Sequence, residues 1–158
     1  MKNILIIGVL LLLCSCSSSK FSKQVLIIPK SYRGEIWIFY DQDYNRGKFK
    51  KEWGKITFYV PKDGIIYSKY KPDKIIDSEQ YTDNNERVFI TEYFDKENKI
   101  YLDGGSSGTL ELPNKKMLKH SSYFVGDEKY LDSIFQKANG YEYIVKKYEE
   151  SSTKKPTH

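Results

Sequence analysis

Short runs of β-branched and aromatic residues, each closed by proline or glycine, recur through this chain from residue 24 onward. That rhythm constrains its fold more than any other feature. Lys55-Ile56-Thr57-Phe58-Tyr59-Val60 alternates, so Ile56, Phe58 and Val60 would share one face of a strand and Lys55, Thr57 and Tyr59 the other. Pro61-Lys62-Asp63-Gly64 ends the run with turn chemistry, because proline fixes φ and glycine tolerates positive φ. Glu35 to Tyr40 is β-branched or aromatic almost throughout, as expected of a strand covered on both faces. The apolar run from Gln24 ends at Pro29, which cannot donate to a sheet ladder. Further strands are expected at residues 65–67, 87–94, 99–102, 109–112, 123–125 and 141–147.

One helix is predicted. Asp127 is a suitable N-cap, Leu131, Ile134, Phe135 and Ala138 share a face, and Asn139-Gly140 supplies a stop. Both cysteines, Cys14 and Cys16, precede this region, so no disulfide can brace it and the core alone must hold it. The chain of 158 residues is expected to hold one domain, over residues 24–148. It is predicted to be mostly all-β, a single β-sandwich of immunoglobulin-like or prealbumin-like type, with about seven or eight strands and one short helix in the C-terminal half. Residues 149–158 are polar and expected to be a disordered tail.

The amino terminus is of another kind. After Met1-Lys2-Asn3, Ile4 to Leu13 is an uncharged apolar run of ten residues, half the roughly 20 needed to cross a bilayer. A basic head and a short apolar core form the pattern of a secretory signal over residues 1–15; an uncleaved signal anchor is the alternative. Leu13-Cys14-Ser15-Cys16 resembles the lipobox of bacterial lipoproteins, with Cys16 in the register of the acylated cysteine and Ser15 just before it. Residues 16–23 then read as a lipidated, polar tether. Without Lys2, 25 basic residues face 21 acidic ones, with the signs interspersed. No Lys/Arg block suggests nucleic acid.

Several constellations invite chemistry. Asp41, Asp43 and Asn45 alternate, and Glu52 stands at the twelfth position, which echoes the oxygen spacing of a calcium loop. Arg46 occupies the position where such a loop needs glycine, and Lys48, Lys50 and Lys51 intrude, so a polar hairpin loop accounts for the same residues. Asp103-Gly104-Gly105-Ser106-Ser107-Gly108 lacks the Lys-Ser/Thr of a phosphate loop and reads as a flexible hairpin connection. His120, in what reads as an exposed turn, would anchor a small hydrolase with Ser106 or Ser121 and Asp103, although no G-x-S-x-G elbow occurs. The aromatics Trp37, Tyr40, Trp53 and Tyr59 are candidate ligand-binding residues, since rings can stack on sugars or fill a partner's pocket. A sandwich without disulfides also needs large residues in its core.

Ile28-Pro29-Lys30-Ser31-Tyr32-Arg33-Gly34 and Val60-Pro61-Lys62-Asp63-Gly64-Ile65 are similar to Ile-Pro-x-x-Tyr-x-Gly and Val-Pro-x-x-Gly-Ile segments of small uncharacterised bacterial lipoproteins. The resemblance covers mainly residues 27–67, with an echo at Tyr123-Phe124-Val125-Gly126. It implies an envelope lipoprotein and a sandwich fold, and no activity. The sequence thus predicts a membrane-anchored envelope lipoprotein on the exported side of a cell or outer membrane. It would be a non-enzymatic binding or structural module without a cofactor, its partner another envelope protein or a wall or surface polymer. A calcium- or glycan-binding module and a small hydrolase are the alternatives.

Overall fold

A computed structural model describes residues 23–70, 77–90 and 93–153. The predicted signal segment, Cys16, the tether as far as residue 22 and the end of the tail lie outside the described residues. The strands are β1 Lys23–Ile28, β2 Gly34–Tyr40, β3 Lys48–Glu52, β4 Lys55–Tyr59, β5 Ile65–Tyr67, β6 Asp77–Thr82, β7 Arg87–Val88, β8 Tyr93–Asp95, β9 Ile100–Glu111 and β10 Met117–Gly126. Two helices follow, α1 Glu128–Ala138 and α2 Tyr141–Ser152.

The strands form two five-stranded sheets. An outer sheet has the order β3-β4-β1-β6-β7 and a central sheet the order β5-β2-β10-β9-β8. The expected sandwich is therefore present, and α1 and α2 add a third layer on the far side of the central sheet. Period-two alternation sorts the side chains of β2 between the layers. Ile36, Ile38 and Tyr40 join Leu26, Ile28, Ile56 and Phe58 between the sheets. Trp37 and Phe39 join Leu118, Phe124, Leu131, Ile134, Ile144 and Val145 beneath the helices. Each of these large side chains contributes roughly 1.5–3 kcal/mol by leaving water, which is why β2 and the Tyr123–Val125 end of β10 are apolar on both faces.

Three pairings are parallel: β1 with β4, β1 with β6, and β2 with β5. Parallel neighbours cannot be joined by a tight hairpin, so these pairs reach across long stretches of chain.

The structure corrects several expectations. Residues 141–147, expected as a strand, form the start of α2. Ile144, Val145 and Tyr148 pack under that helix as a helical face. Residues 103–108, expected as a flexible connection, lie inside β9, paired to β10. Gly105 fits there because a Cβ would fall 2.2 Å from Ser122 Oγ and 2.5 Å from the Phe124 ring. The strand expected over 87–94 is two short pieces, β7 and β8. The start of the predicted tail, through Ser152, is helical, with Ser151 buried against Tyr67. The N-cap is as expected: Asp127 Oδ1 accepts the N–H of Tyr130 at 2.8 Å.

Candidate functional site

The four aromatics singled out in the sequence separate into two pairs. Trp37 and Tyr40 are core residues, 0% and 3% exposed, and the expectation that they bind a ligand is corrected. Trp37 donates its indole N–H to Glu35 Oε2 at 2.7 Å and lies among Phe39, Phe124, His120 and Tyr143. Tyr40 donates its hydroxyl to Gln24 Oε1 between the sheets, and burial pushes its pKa well up. Trp53 and Tyr59 belong instead to the outer sheet, Trp53 fully exposed in the β3–β4 turn and Tyr59 half-buried on β4.

The Asp41–Glu52 segment does not close around a common point. Asn45 Oδ1 accepts the N–H of Lys69 at 3.0 Å, and Asp41 takes a positive φ of 59° where β2 ends. Glu52, in β3, holds Lys50 at 2.8 Å and Lys55 at 2.6 Å. No group of three or more His, Cys, Asp or Glu able to hold a metal ion occurs among the described residues.

His120 is buried in β10, not exposed in a turn. Its Nε2 lies 3.2 Å from Ser106 Oγ, while Nδ1 has no hydrogen-bond partner. Ser121, on the opposite face of the strand, meets Tyr40. Asp103 Oδ1 accepts its neighbour Gly104's N–H at 2.7 Å. Of the four residues of the imagined hydrolytic centre, only His120 and Ser106 are brought together. Burial holds His120 below its ordinary pKa of 6.5.

The feature that stands open is the outer face of the outer sheet. Alternation that sends Leu26, Ile28, Ile56 and Phe58 inward sends Lys23, Val25, Ile27, Lys55, Thr57 and Tyr59 outward. Strand register then builds rows. Tyr59, Ile27 and Tyr81 lie side by side across β4, β1 and β6, with Thr57, Val25 and Glu79 in the row below. These rows line a groove of about 480 Å3, edged by Lys23, Lys50, Glu52 and Lys55. Adjacent strands lie roughly 4.8 Å apart, so the two tyrosines are about 10 Å apart with Ile27 between them.

The charges in the groove are internally paired. Glu79 accepts from Lys23 Nζ at 2.7 Å, from Arg87 Nη2 at 3.2 Å and from the Tyr81 hydroxyl at 3.2 Å. Lys23 and the other donors hold its carboxyl below the usual range. Hydrogen bonds from Lys50 and Lys55 hold Glu52 down at about 2. Both carboxylates therefore stay ionised at neutral pH and serve as struts for the lysines. The groove presents an apolar strip, two phenol rings and an edge of lysines paired with Glu52 and Glu79.

Lys23, Glu79, Tyr81 and Arg87 are not marked as site residues by the sequence. The signal was present in Asp77-Ser78-Glu79-Gln80-Tyr81-Thr82, where Ser78, Gln80 and Thr82 alternate with Glu79 and Tyr81. An all-polar alternation does not announce which face is inward. Gln24, Ser78 and Gln80 satisfy one another and Tyr123 between the sheets.

No protein-family model and no curated protein matches the chain. A crystal structure of a "putative lipoprotein" from Bacillus anthracis is similar at 16% sequence identity and a TM-score of 0.43, covering 69% of this chain and 73% of that one.

Proposed function

We propose that the chain is a lipid-anchored lipoprotein of a bacterial envelope, and that its sandwich is a binding module using the groove on the outer sheet. The signal-like residues 1–15 and the lipobox-like Leu13-Cys14-Ser15-Cys16 support the anchor. The sandwich itself begins at Lys23 and contains neither cysteine, so acylation of Cys16 asks nothing of the fold.

The observation that carries the binding role is the asymmetry of the two sheets. Among the described residues the two helices pack on the far face of the central sheet, whereas no element packs on the second face of the outer sheet, where Tyr59, Tyr81 and Ile27 stand half-buried along a groove floored by buried Val25 and Thr57. Phenol rings and an apolar strip suit the flat faces of sugar rings, and the lysine edge suits negative charge. The ligand this favours is an anionic surface polysaccharide.

Two measurements test the proposal. Mass spectrometry of protein purified from the native envelope is expected to show a chain starting at a diacylglyceryl-modified Cys16. A chain that starts at Met1 without lipid rejects the anchor. Co-sedimentation with the insoluble polysaccharide fraction of that envelope is expected to fall about tenfold in affinity for the Tyr59→Ala/Tyr81→Ala double variant, since two stacked rings are worth of order 1–3 kcal/mol. Unchanged retention rejects the groove as the binding surface.

A further inference from the structure

We infer that the β3–β4 hairpin tip is the point at which the domain touches its membrane, with Trp53 seated in the head-group layer of an anionic phospholipid bilayer. The inference rests on the proposal above that the chain is membrane-anchored near Cys16.

Trp53 is fully exposed on a two-residue turn between Glu52 and Lys55, closed by Gly54 at φ 69°. Ladder pairing of Glu52 with Lys55 fixes the turn, so the indole is held away from the domain. An indole has an apolar body and one polar N–H, and tryptophan concentrates where hydrocarbon meets water.

The path of the chain places this turn beside the anchor. The backbone N–H of Lys23 donates to the carbonyl of Gly54 at 3.1 Å, so the sandwich begins against the hairpin tip. Six residues lie between Cys16 and Lys23, and the seven steps from one to the other span at most about 25 Å. The tip therefore lies within one short tether of the lipid, at the end of the outer sheet that faces it. Lys23, Lys50, Lys51 and Lys55 gather at this end with Glu52, Glu79 and Asp77, the last in register with Lys23. Lysines flanking an aromatic ring suit a surface of anionic head groups. Tyr59, Ile27 and Tyr81 stand four residues further along their strands, about 13 Å higher, so the ring end of the groove stands clear of the head groups while its lysine edge lies next to them.

The test uses the full chain purified from membranes and reconstituted into vesicles of phosphatidylglycerol and phosphatidylcholine, part of which carries bromine near the head of the acyl chains. The chain has two tryptophans, and Trp37 is fully buried, so the difference between wild type and Trp53→Ala reports Trp53. Trp53 emission is expected to move to shorter wavelength on reconstitution and to be quenched by the brominated lipid, while Trp53→Ala shows neither change. A chain that floats with the vesicles while Trp53 keeps its water-exposed emission overturns this inference and leaves the anchor standing. A chain that fails to float overturns both. Shielding of Trp53 from aqueous quencher only after envelope polysaccharide or a second protein is added assigns the ring to that partner and also overturns the inference.

Discussion

The hydroxyl of Tyr32 packs so closely on Gly64 that a Cβ added at Gly64 would lie 2.2 Å from it. The same Cβ would lie 2.0 Å from the carbonyl oxygen of Glu35, to which Tyr32 donates at 2.6 Å. The two Pro/Gly segments seen in the sequence thus interlock, one supplying the tyrosine and the other the space for it. Gly64 has φ 72°, where any side chain is strained. Gly64→Ala is expected to cost about 3 kcal/mol or more, from backbone strain and the clash with Glu35 together. A urea midpoint shift corresponding to less than about 1 kcal/mol would show that the junction relaxes freely.

Glu35 clamps α2 to the sheet. Its carboxylate takes the Trp37 indole at 2.7 Å, the Tyr143 hydroxyl at 2.8 Å and the Lys147 ammonium at 3.0 Å. Glu35→Ala leaves three donors without their acceptor, and a loss of about 2–4 kcal/mol is expected. Tyr143→Phe removes one bond and should cost about 1 kcal/mol. Equal effects from the two variants in chemical denaturation would refute the idea of a shared acceptor.

Acid should weaken the fold through His120. Burial holds its folded-state pKa below 6.5, so the folded chain binds this proton more weakly than the unfolded chain. Stability from this source is complete above pH 6.5 and declines as the pH falls below it. The urea midpoint is expected to drop as the pH falls through 6.5 and below, and His120→Gln should flatten that slope. Retention of the full slope in the variant would place the acid sensitivity elsewhere.

The two tryptophans should respond oppositely to truncation. Trp37→Ala opens a hole beneath the helices, at an expected cost of about 3–5 kcal/mol. Trp53→Ala removes a side chain that touches solvent and should leave stability within about 0.5 kcal/mol. Thermal melts of the two variants side by side decide the matter, and comparable losses would mean that the hairpin tip is packed in solution.

Glu52 offers a spectroscopic check on the lysine edge. Hydrogen bonds from Lys50 and Lys55 hold its carboxyl at about 2, so a carbon-13 carboxyl titration should find it ionised through mildly acidic pH. Two ammonium groups already occupy its oxygens, and millimolar calcium is expected to leave its resonance unmoved. A calcium-dependent shift at Glu52 together with Asp41 and Asp43 would revive the calcium-loop alternative.

The legible parts of this fold were those where local chemistry and burial agree. Glu35–Tyr40 announced a strand covered on two sides because both of its faces are apolar. Asp127 announced a helix because a cap is a local event. Residues 141–147 misled because Tyr141, Tyr143 and Val145 alternate, whereas the packed set under α2 is Ile144, Val145 and Tyr148. The glycines of β9 read as a loop because a strand was not expected to need missing side chains. For Gly105 the reason lies across the sheet, in Ser122 and Phe124. His120 looked exposed beside Lys119 and two serines, yet strand alternation turns it inward. Of the groove, Tyr59 was visible as an outward residue of an alternating strand. Its partners were not, because the parallel register that sets Tyr81 beside Ile27 joins residues 54 positions apart.

That register also bears on the order of events as the chain is made. β1 is the middle strand of the outer sheet, flanked by β4 and β6. A chain emerging amino end first presents β1 before either neighbour exists, and the second flank closes only once Thr82 is out. Until Tyr59 is out, Val25, Leu26 and Ile27 have no strand to join; the β3–β4 hairpin then offers one flank, and the other stays open until β6 follows. Pairing over such distances is slow and leaves strand edges exposed meanwhile. The same delay leaves β1 paired on one side alone while residues 60–82 are being made.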